Sequence, residues 1–221
     1  MRVLGYSPWG NGTSVFPLDE IFDRKQDCTK QGFEGIDAFV LWGGTDIPAA
    51  FYRQQPSRMN QQQGDPTNRD VWEWNAINYC VSAGIPIIGI CRGAQMLCAA
   101  AGGSLFQDVE GHGTGWHSVK TVSGEVMHTT TCHHQMMDLR NTDHTLLAWS
   151  LLNLSDKYIS EGEVDLIKEL PPGFKEPELV LFPKLNALAI QGHPEWMKVE
   201  HPYTQYFLSC VEDYLFFPQT C

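Results

Sequence analysis

IPIIGICRGAQML, Ile85 to Leu97, runs a buried-strand pattern straight into Cys91 and follows it at once with Arg92 and Gly93. A core strand that merely ended would more usually finish in Gly, Asn, Asp or Pro. PIIGI reads as a fully buried strand, and GAQMLCAAAGG as a short helix of small residues closed by Gly102 and Gly103. A thiol held between a buried strand and such a helix is a nucleophile on display. Gly89 and Gly93, two residues either side of Cys91, give a tight elbow where larger side chains would clash. The helix N-terminus offers backbone N–H groups and a positive dipole end that favour a thiolate. The competing reading is a structural Cys buried in the core.

Outward from the elbow, the pattern alternates strand and helix. RVLGY is a short buried strand, and IDAFVLWGG, Ile36 to Gly44, is a second one stopped by two glycines. NQQQGDPTNRD, Asn60 to Asp70, is a polar loop running into a helix over DVWEWNAINYCVSAG. Trp72, Ala76, Tyr79, Cys80 and Ala83 form that helix's apolar stripe, Thr67 or Asn68 its cap and Gly84 its stop. Strand and helix alternating in this order predict a parallel sheet covered on both faces. Residues from about 119 to 149 alternate more and suggest antiparallel pieces. ELVLFPKLNALAIQGHPEW reads as a hairpin whose second strand ends at Gln191, and YTQYFLSCVEDYLF as a terminal helix. The expected class is α/β, with three layers, a mostly parallel central sheet, helices on both faces, a nucleophile elbow and a small antiparallel element. The chain is read as one domain over residues 1–221.

Composition bounds the function. Hydrophobic residues make up 43% and charged ones 19%, ordinary for a globular protein. With 15 Lys and Arg against 26 Asp and Glu, the formal net charge is −11, which argues against a general phosphate-backbone binder. No apolar run reaches the ~18 residues of a membrane span. The opening MRVLGYSPWG is too short for a secretory core, so the expectation is a cytoplasmic protein without nucleic-acid or membrane partners. Seven cysteines, at 28, 80, 91, 98, 132, 210 and 221, are odd in number and lack framework spacing, which points to a reducing compartment.

A thiolate nucleophile needs a base, and the base needs an acceptor to orient it. QGHPEW supplies His193 and Glu195 at a strand end, with Pro194 stiffening the turn. In extended geometry both side chains leave one face, so Glu195 can hold one imidazole nitrogen while the other faces Cys91. Backbone N–H groups at Gly44, after LWGG, and at Arg92 are candidate oxyanion donors.

Together, VLWGGTDI, RD before a helix, PIIGICRGAQ, GGSLFQD, HHQ and QGHPE resemble, in that order, the class I glutamine amidotransferase superfamily. Asp70 after Arg69, GGSLFQD and HHQ are nearest its γ-glutamyl-γ-aminobutyrate hydrolase and γ-glutamyl peptidase branch. The resemblance implies Cys91 as nucleophile, His193 as base, Glu195 as its support, and Gly44 and Arg92 as the oxyanion hole. It implies glutamyl contacts from Gln95, His133, His134 and Gln135. The implied activity is cysteine-dependent hydrolysis of a γ-glutamyl amide, in glutamine or in a γ-glutamyl amine or peptide, through a γ-glutamyl thioester. No cofactor is implied. One alternative is a glutaminase subunit delivering ammonia to a separate synthetase or ligase partner; another is a catalytically idle binding module on the same fold. The segment between the first strand and VLWGG, and that from Gly111 to His128, are shorter than the family pattern. Gln191-Gly192 replaces the more usual aromatic before His193.

Histidines 112, 117, 128, 133, 134 and 144 crowd one region, yet their spacing fits no zinc pattern, so no metal is expected. GHGTGW is a weak dinucleotide cradle, because no clear strand of a βαβ unit precedes it. Trp72 and Trp74 read as core on one side and rim on the other. The Arg92 side chain reads equally as an exposed carboxylate ligand or a solvated helix-start residue. Cys80 and Cys98 read as core packing, and Cys132 as lying near the site without a base.

Overall fold

The computed structural model describes residues 1–162 and 170–217. Cys221 lies outside the described residues. The chain forms β1 (Val3–Tyr6), β2 (Arg24–Asp27), α1 (Cys28–Gln31), β3 (Ala38–Leu41), α2 (Asn68–Ala83), β4 (Ile87–Ile90) and α3 (Arg92–Ala100). It continues through β5 (Ser104–Phe106), β6 (Asp108–Val109), β7 (Gly115–Thr121), β8 (Val126–Thr131), β9 (Met136–Asp138), β10 (Thr145–Ser150) and β11 (Tyr158–Ile159). The last elements are β12 (Pro177–Phe182), β13 (Ala187–Ile190) and α4 (Pro202–Val211).

One large mixed sheet runs β2-β1-β3-β4-β13-β12-β10-β7-β8. The pairings from β2 to β13 are parallel, and those from β13 to β8 are antiparallel. Two further small antiparallel pairs, β5 with β9 and β6 with β11, lie beside it. The strands β3, β4 and β13 are buried at every position, as a sheet covered on both faces requires. One core cluster gathers α2 and α3 residues such as Ile77, Cys80, Met96 and Leu97, a second gathers Tyr203, Phe207 and Val211 of α4, and a small third holds Phe106, Val109, Met136 and Tyr158. The architecture is therefore the expected three-layer α/β fold. The short segment before β3 still holds a strand and a helix, but α1 is reduced to one turn.

The stripe predicted for α2 is corrected. Asp70, Glu73, Ala76, Ile77 and Cys80 face inward, whereas Tyr79 and Ala83 are exposed. Two acids hold the inward face because a buried cation waits there, described below. Thr67 is the cap: its hydroxyl accepts from the Asp70 N–H while Asp70 accepts from the Thr67 N–H. Among the described residues, no helix is long and apolar enough to cross a membrane.

Candidate active site

The site stands at the C-terminal rim of β3, β4 and β13, where the loops after these strands converge. Cys91 caps α3 with φ 52° and ψ −106°. A non-glycine residue at positive φ is strained, and such strain persists only where the surroundings fix it. Here the Cys91 N–H donates to the Ile190 carbonyl (2.8 Å), and its own carbonyl accepts from the Gln95 N–H (3.1 Å). Gly93 lets the first turn of α3 sit directly on β3, since a Cβ there would be driven into the Leu41 carbonyl. The elbow is thus a packing consequence of the glycines flanking the cysteine.

His193 follows β13, and its Nδ1 lies 2.8 Å from Glu195 Oε1. The contact forms across a 3-10 turn over Pro194–Trp196, not along the extended strand end the sequence suggested. Thr130 braces the imidazole's backbone: its hydroxyl donates to the His193 carbonyl (2.9 Å) and accepts from the His193 N–H (3.1 Å). Burial pulls the imidazole's pKa down. Hydrogen bonding to Cys91 and then to Glu195 overcomes this and lifts it to about 10. The ring sits between a sulfur at a helix N-terminus and a carboxylate, a setting that favours its protonated form. Trp196 stacks on it, with ring centroids 3.8 Å apart and planes within 5°. Gly43 completes the enclosure, because a Cβ there would stand 3.0 Å from His193 Cε1 and 3.6 Å from Cys91 Cβ.

Arg92 departs from both sequence readings of its side chain. It is neither an exposed ligand nor solvated: it is 1% exposed and pairs with Asp70 and Glu73 of α2. Glu73 also accepts from Arg69 Nε (3.0 Å), and Arg69 Nη2 donates to the Trp42 and Gly43 carbonyls, each at 3.0 Å. This four-membered ion network ties α2, α3 and the turn before Gly44 into one rigid unit. With its guanidinium committed to Asp70 and Glu73, the Arg92 side chain is turned away from the cavities beside Cys91.

Two cavities meet at Cys91. A larger one, about 290 Å³, is lined by Gly10, Asn11, Trp42, Gly43, Gly44, Cys132, His193, Glu195 and Trp196. A smaller one, about 130 Å³, is lined by Gly44, Thr45, Asp46, Gln61, Gln95, Cys132, His133, His134 and Gln135. The four residues expected to contact substrate are thus brought together on one wall, but not all of their polar atoms face it. His134 spends both ring nitrogens on acids, Nε2 at 3.1 Å from Asp46 and Nδ1 at 3.1 Å from Asp108. The Asp46 bond, only partly opposed by burial, raises its pKa. His133 Nδ1 donates to the Gln135 carbonyl (2.9 Å), as does Gln95 Nε2 (3.0 Å). The Gln135 side-chain oxygen has no partner among the described residues.

Cys132 is exposed, and the Thr114 hydroxyl stands 3.4 Å from its sulfur. Cys80 and Cys98 are buried in the core, and burial pushes the Cys80 thiol up to about 12. Trp72 packs on Trp9, Phe33 and Phe39, and Trp74 on Phe51, so neither belongs to the site. Sequence reasoning missed Trp196, Thr130 and the Arg69–Glu73 pair. Only the last carried a local signal, the i,i+4 spacing of opposite charges.

The family model for Peptidase C26 matches residues 12–160, well over half of the chain. The chain belongs to the Peptidase C26 family. That match includes Cys91 and the HHQ turn, while His193 and Glu195 fall beyond it. Among curated relatives, the glutamine amidotransferase-like protein YvdE homolog of Lactococcus lactis subsp. cremoris is 36% identical, over 45% of this chain and 50% of its own length. The carbamoyl phosphate synthase small chain of Escherichia coli K12 is 27% identical, over 77% of this chain and 42% of its own. The chain thus spans half or less of the length of these relatives. A Thermotoga maritima glutamine amidotransferase structure covers 97% of the chain, with 86% of its own covered, at TM-score 0.56 and 18% identity, a likeness of fold.

Proposed function

We propose that the protein hydrolyses a γ-glutamyl amide bond, with Cys91 as nucleophile, His193 as general acid and base, and Glu195 as its orienting partner. The single observation that carries this reading is the strained Cys91 elbow facing an imidazolium braced by a carboxylate, at the junction of two cavities. The Cys91 thiolate attacks the δ-carbonyl carbon, and the oxygen, now negative, takes hydrogen bonds from the Gly44 and Arg92 N–H groups. As the C–N bond breaks, His193 gives its proton to the departing nitrogen, leaving a γ-glutamyl thioester and a neutral imidazole. That imidazole accepts a proton from water as the water attacks the thioester. Glutamate leaves, and the thiolate–imidazolium pair is restored.

In this reading the smaller cavity takes the glutamyl group, with the Gln135 carboxamide oxygen as an acceptor for its α-ammonium. The larger cavity takes the leaving group. Ammonia is about the size of one water, which needs roughly 10–15 Å³ of cavity, so about 290 Å³ beside Trp196 and Asn11 leaves room for an amine or peptide. The second reading, a glutaminase subunit that hands ammonia to a synthetase, is favoured by the likeness to the carbamoyl phosphate synthase small chain. The assembled Cys–His–Glu constellation speaks against an idle binding module. A turnover screen of glutamine against γ-glutamyl amines and dipeptides tests the assignment. Higher kcat/KM for the larger leaving groups supports the hydrolase; glutamine as the best substrate, accelerated by a ligase, supports the subunit.

A further inference from the structure

On the sheet side of the smaller cavity, five ionisable side chains meet in the interior. His112 precedes β7, His117 lies within it, His133 follows β8, and Glu176 and Glu178 are two residues apart at the start of β12. All five are buried, and His112, Glu176 and Glu178 are completely sealed. The His112 ring lies 4.7 Å from that of His133 and 5.1 Å from that of His117.

The hydrogen bonds of the cluster account for some of its polar atoms and leave others over. Glu176 accepts from the Leu154 and Ser155 N–H groups (2.8 and 3.0 Å) and from the Tyr158 hydroxyl (2.7 Å). It is a carboxylate well supplied with donors, and His112 Nε2 lies 3.0 Å from it. Nε2 therefore carries hydrogen, while His112 Nδ1 faces Glu178 Oε1 at 3.8 Å, beyond hydrogen-bond reach. The Gln135 carbonyl can only accept, so His133 Nδ1 carries hydrogen and Nε2 keeps its lone pair. His117 Nε2 sits 2.8 Å from Glu178 Oε1 and leaves Glu178 Oε2 over. His112 Nδ1, His133 Nε2 and Glu178 Oε2 have no hydrogen-bond partner among the described residues. Ligand atoms of these three side chains lie within 4.8 Å of one another. Buried polar atoms without partners are rare in native proteins, and three so close together call for a common partner.

We propose that His112, His133 and Glu178 bind one divalent metal ion, with zinc the best match. Two imidazoles and a carboxylate make a donor set that suits zinc at about 2.0–2.2 Å. Each ligand already has the outer partner that metal-binding residues use to fix tautomer and orientation: Glu176 for His112, the Gln135 carbonyl for His133, and His117 for Glu178. Gln191 is the candidate for a fourth donor. The antiparallel register sets Gln191 opposite Glu178, and its buried carboxamide oxygen is unpartnered. The ion's role is structural: it ties the 132–135 loop, one wall of the smaller cavity, to the antiparallel half of the sheet. It does not depend on the proposed hydrolysis.

The test uses the full chain carrying Cys91→Ala, so that the elbow thiol cannot capture metal. Chelator-stripped protein is titrated with zinc chloride by calorimetry and melted with and without zinc. One zinc per chain and a raised Tm are expected, with affinity at least tenfold weaker in Glu178→Gln and in the outer-partner variant Glu176→Gln. Cobalt(II) added to the same stripped protein should give tetrahedral d–d bands without thiolate charge transfer, a readout that needs no ligand variant to fold. Folded protein that takes up no zinc, zinc affinity unchanged by Glu178→Gln, or a thiolate signature on cobalt would each overturn the proposal.

Discussion

Replacing Glu73 with glutamine tests whether the buried ion network holds the site's backbone. In the wild type, two arginines and two acids share one interior region: Glu73 receives Arg69 and Arg92, and Asp70 receives Arg92. Burial, and then the neighbouring Arg92, already hold the Arg69 guanidinium below its usual pKa. Glu73→Gln keeps the volume but leaves two guanidiniums sharing the single Asp70 carboxylate. Breaking a buried pair by removing one partner costs about 3–5 kcal/mol. For a domain of this size each kcal/mol lowers Tm by about 2–4 °C, so the fall should be roughly 6–20 °C. Because Arg69 carries the Trp42 and Gly43 carbonyls, kcat should drop as well. The double variant Arg69→Met/Glu73→Leu restores one guanidinium to one carboxylate, and urea unfolding should show about 1–3 kcal/mol of coupling between the two sites. A Glu73→Gln loss within about 0.5 kcal/mol, the range of ordinary surface substitutions, would refute the idea that this network is a rigid brace.

Further predictions concern the reacting groups. His193→Ala should abolish turnover to background, whereas Glu195→Gln should retain more activity, because orientation is weakened while the base survives; equal kcat in the two would contradict the assigned roles. By NMR, the His193 ring should titrate near pH 10 and fall toward the ordinary imidazole range in Cys91→Ala. Its folded pKa lies above the unfolded value near ~6.5. Its contribution to stability is therefore full below about pH 6.5 and lost as pH rises through about 10. The stability gap between wild type and His193→Gln should narrow over that window, and a gap that widens would reverse the sign argued here. Trp196→Ala removes a stacked ring pair of about 0.5–1.5 kcal/mol, so kcat/KM should fall about two- to tenfold, with no fall if the stack leaves the imidazole's position unaffected.

Much of the site could be read in the sequence because its strongest signals are local. The strand, the cysteine, the flanking glycines and the start of the helix lie within thirteen residues, and His193 and Glu195 lie within three. What escaped was set by partners distant in the chain. Arg92 looked like a surface residue because its two acids sit 22 and 19 residues earlier, on another helix. Those acids also explain why α2 turns Asp70 and Glu73 inward where periodicity expected Tyr79. In the proposed metal set, His112 and His133 come from separate loops and Glu178 from a strand beyond both, so its sequence spacing matches no zinc pattern. A clue was present in EPELVLF: two acids at i,i+2 on an otherwise apolar strand share one face and need buried partners.

The most direct measurement is intact-mass spectrometry of the protein quenched during turnover of a γ-glutamyl amine, followed by peptide mapping. A single glutamyl group should appear as a thioester on Cys91, be discharged by hydroxylamine, and be absent from Cys91→Ala. Turnover that persists in Cys91→Ala, or a glutamyl adduct on any other residue, would contradict the account.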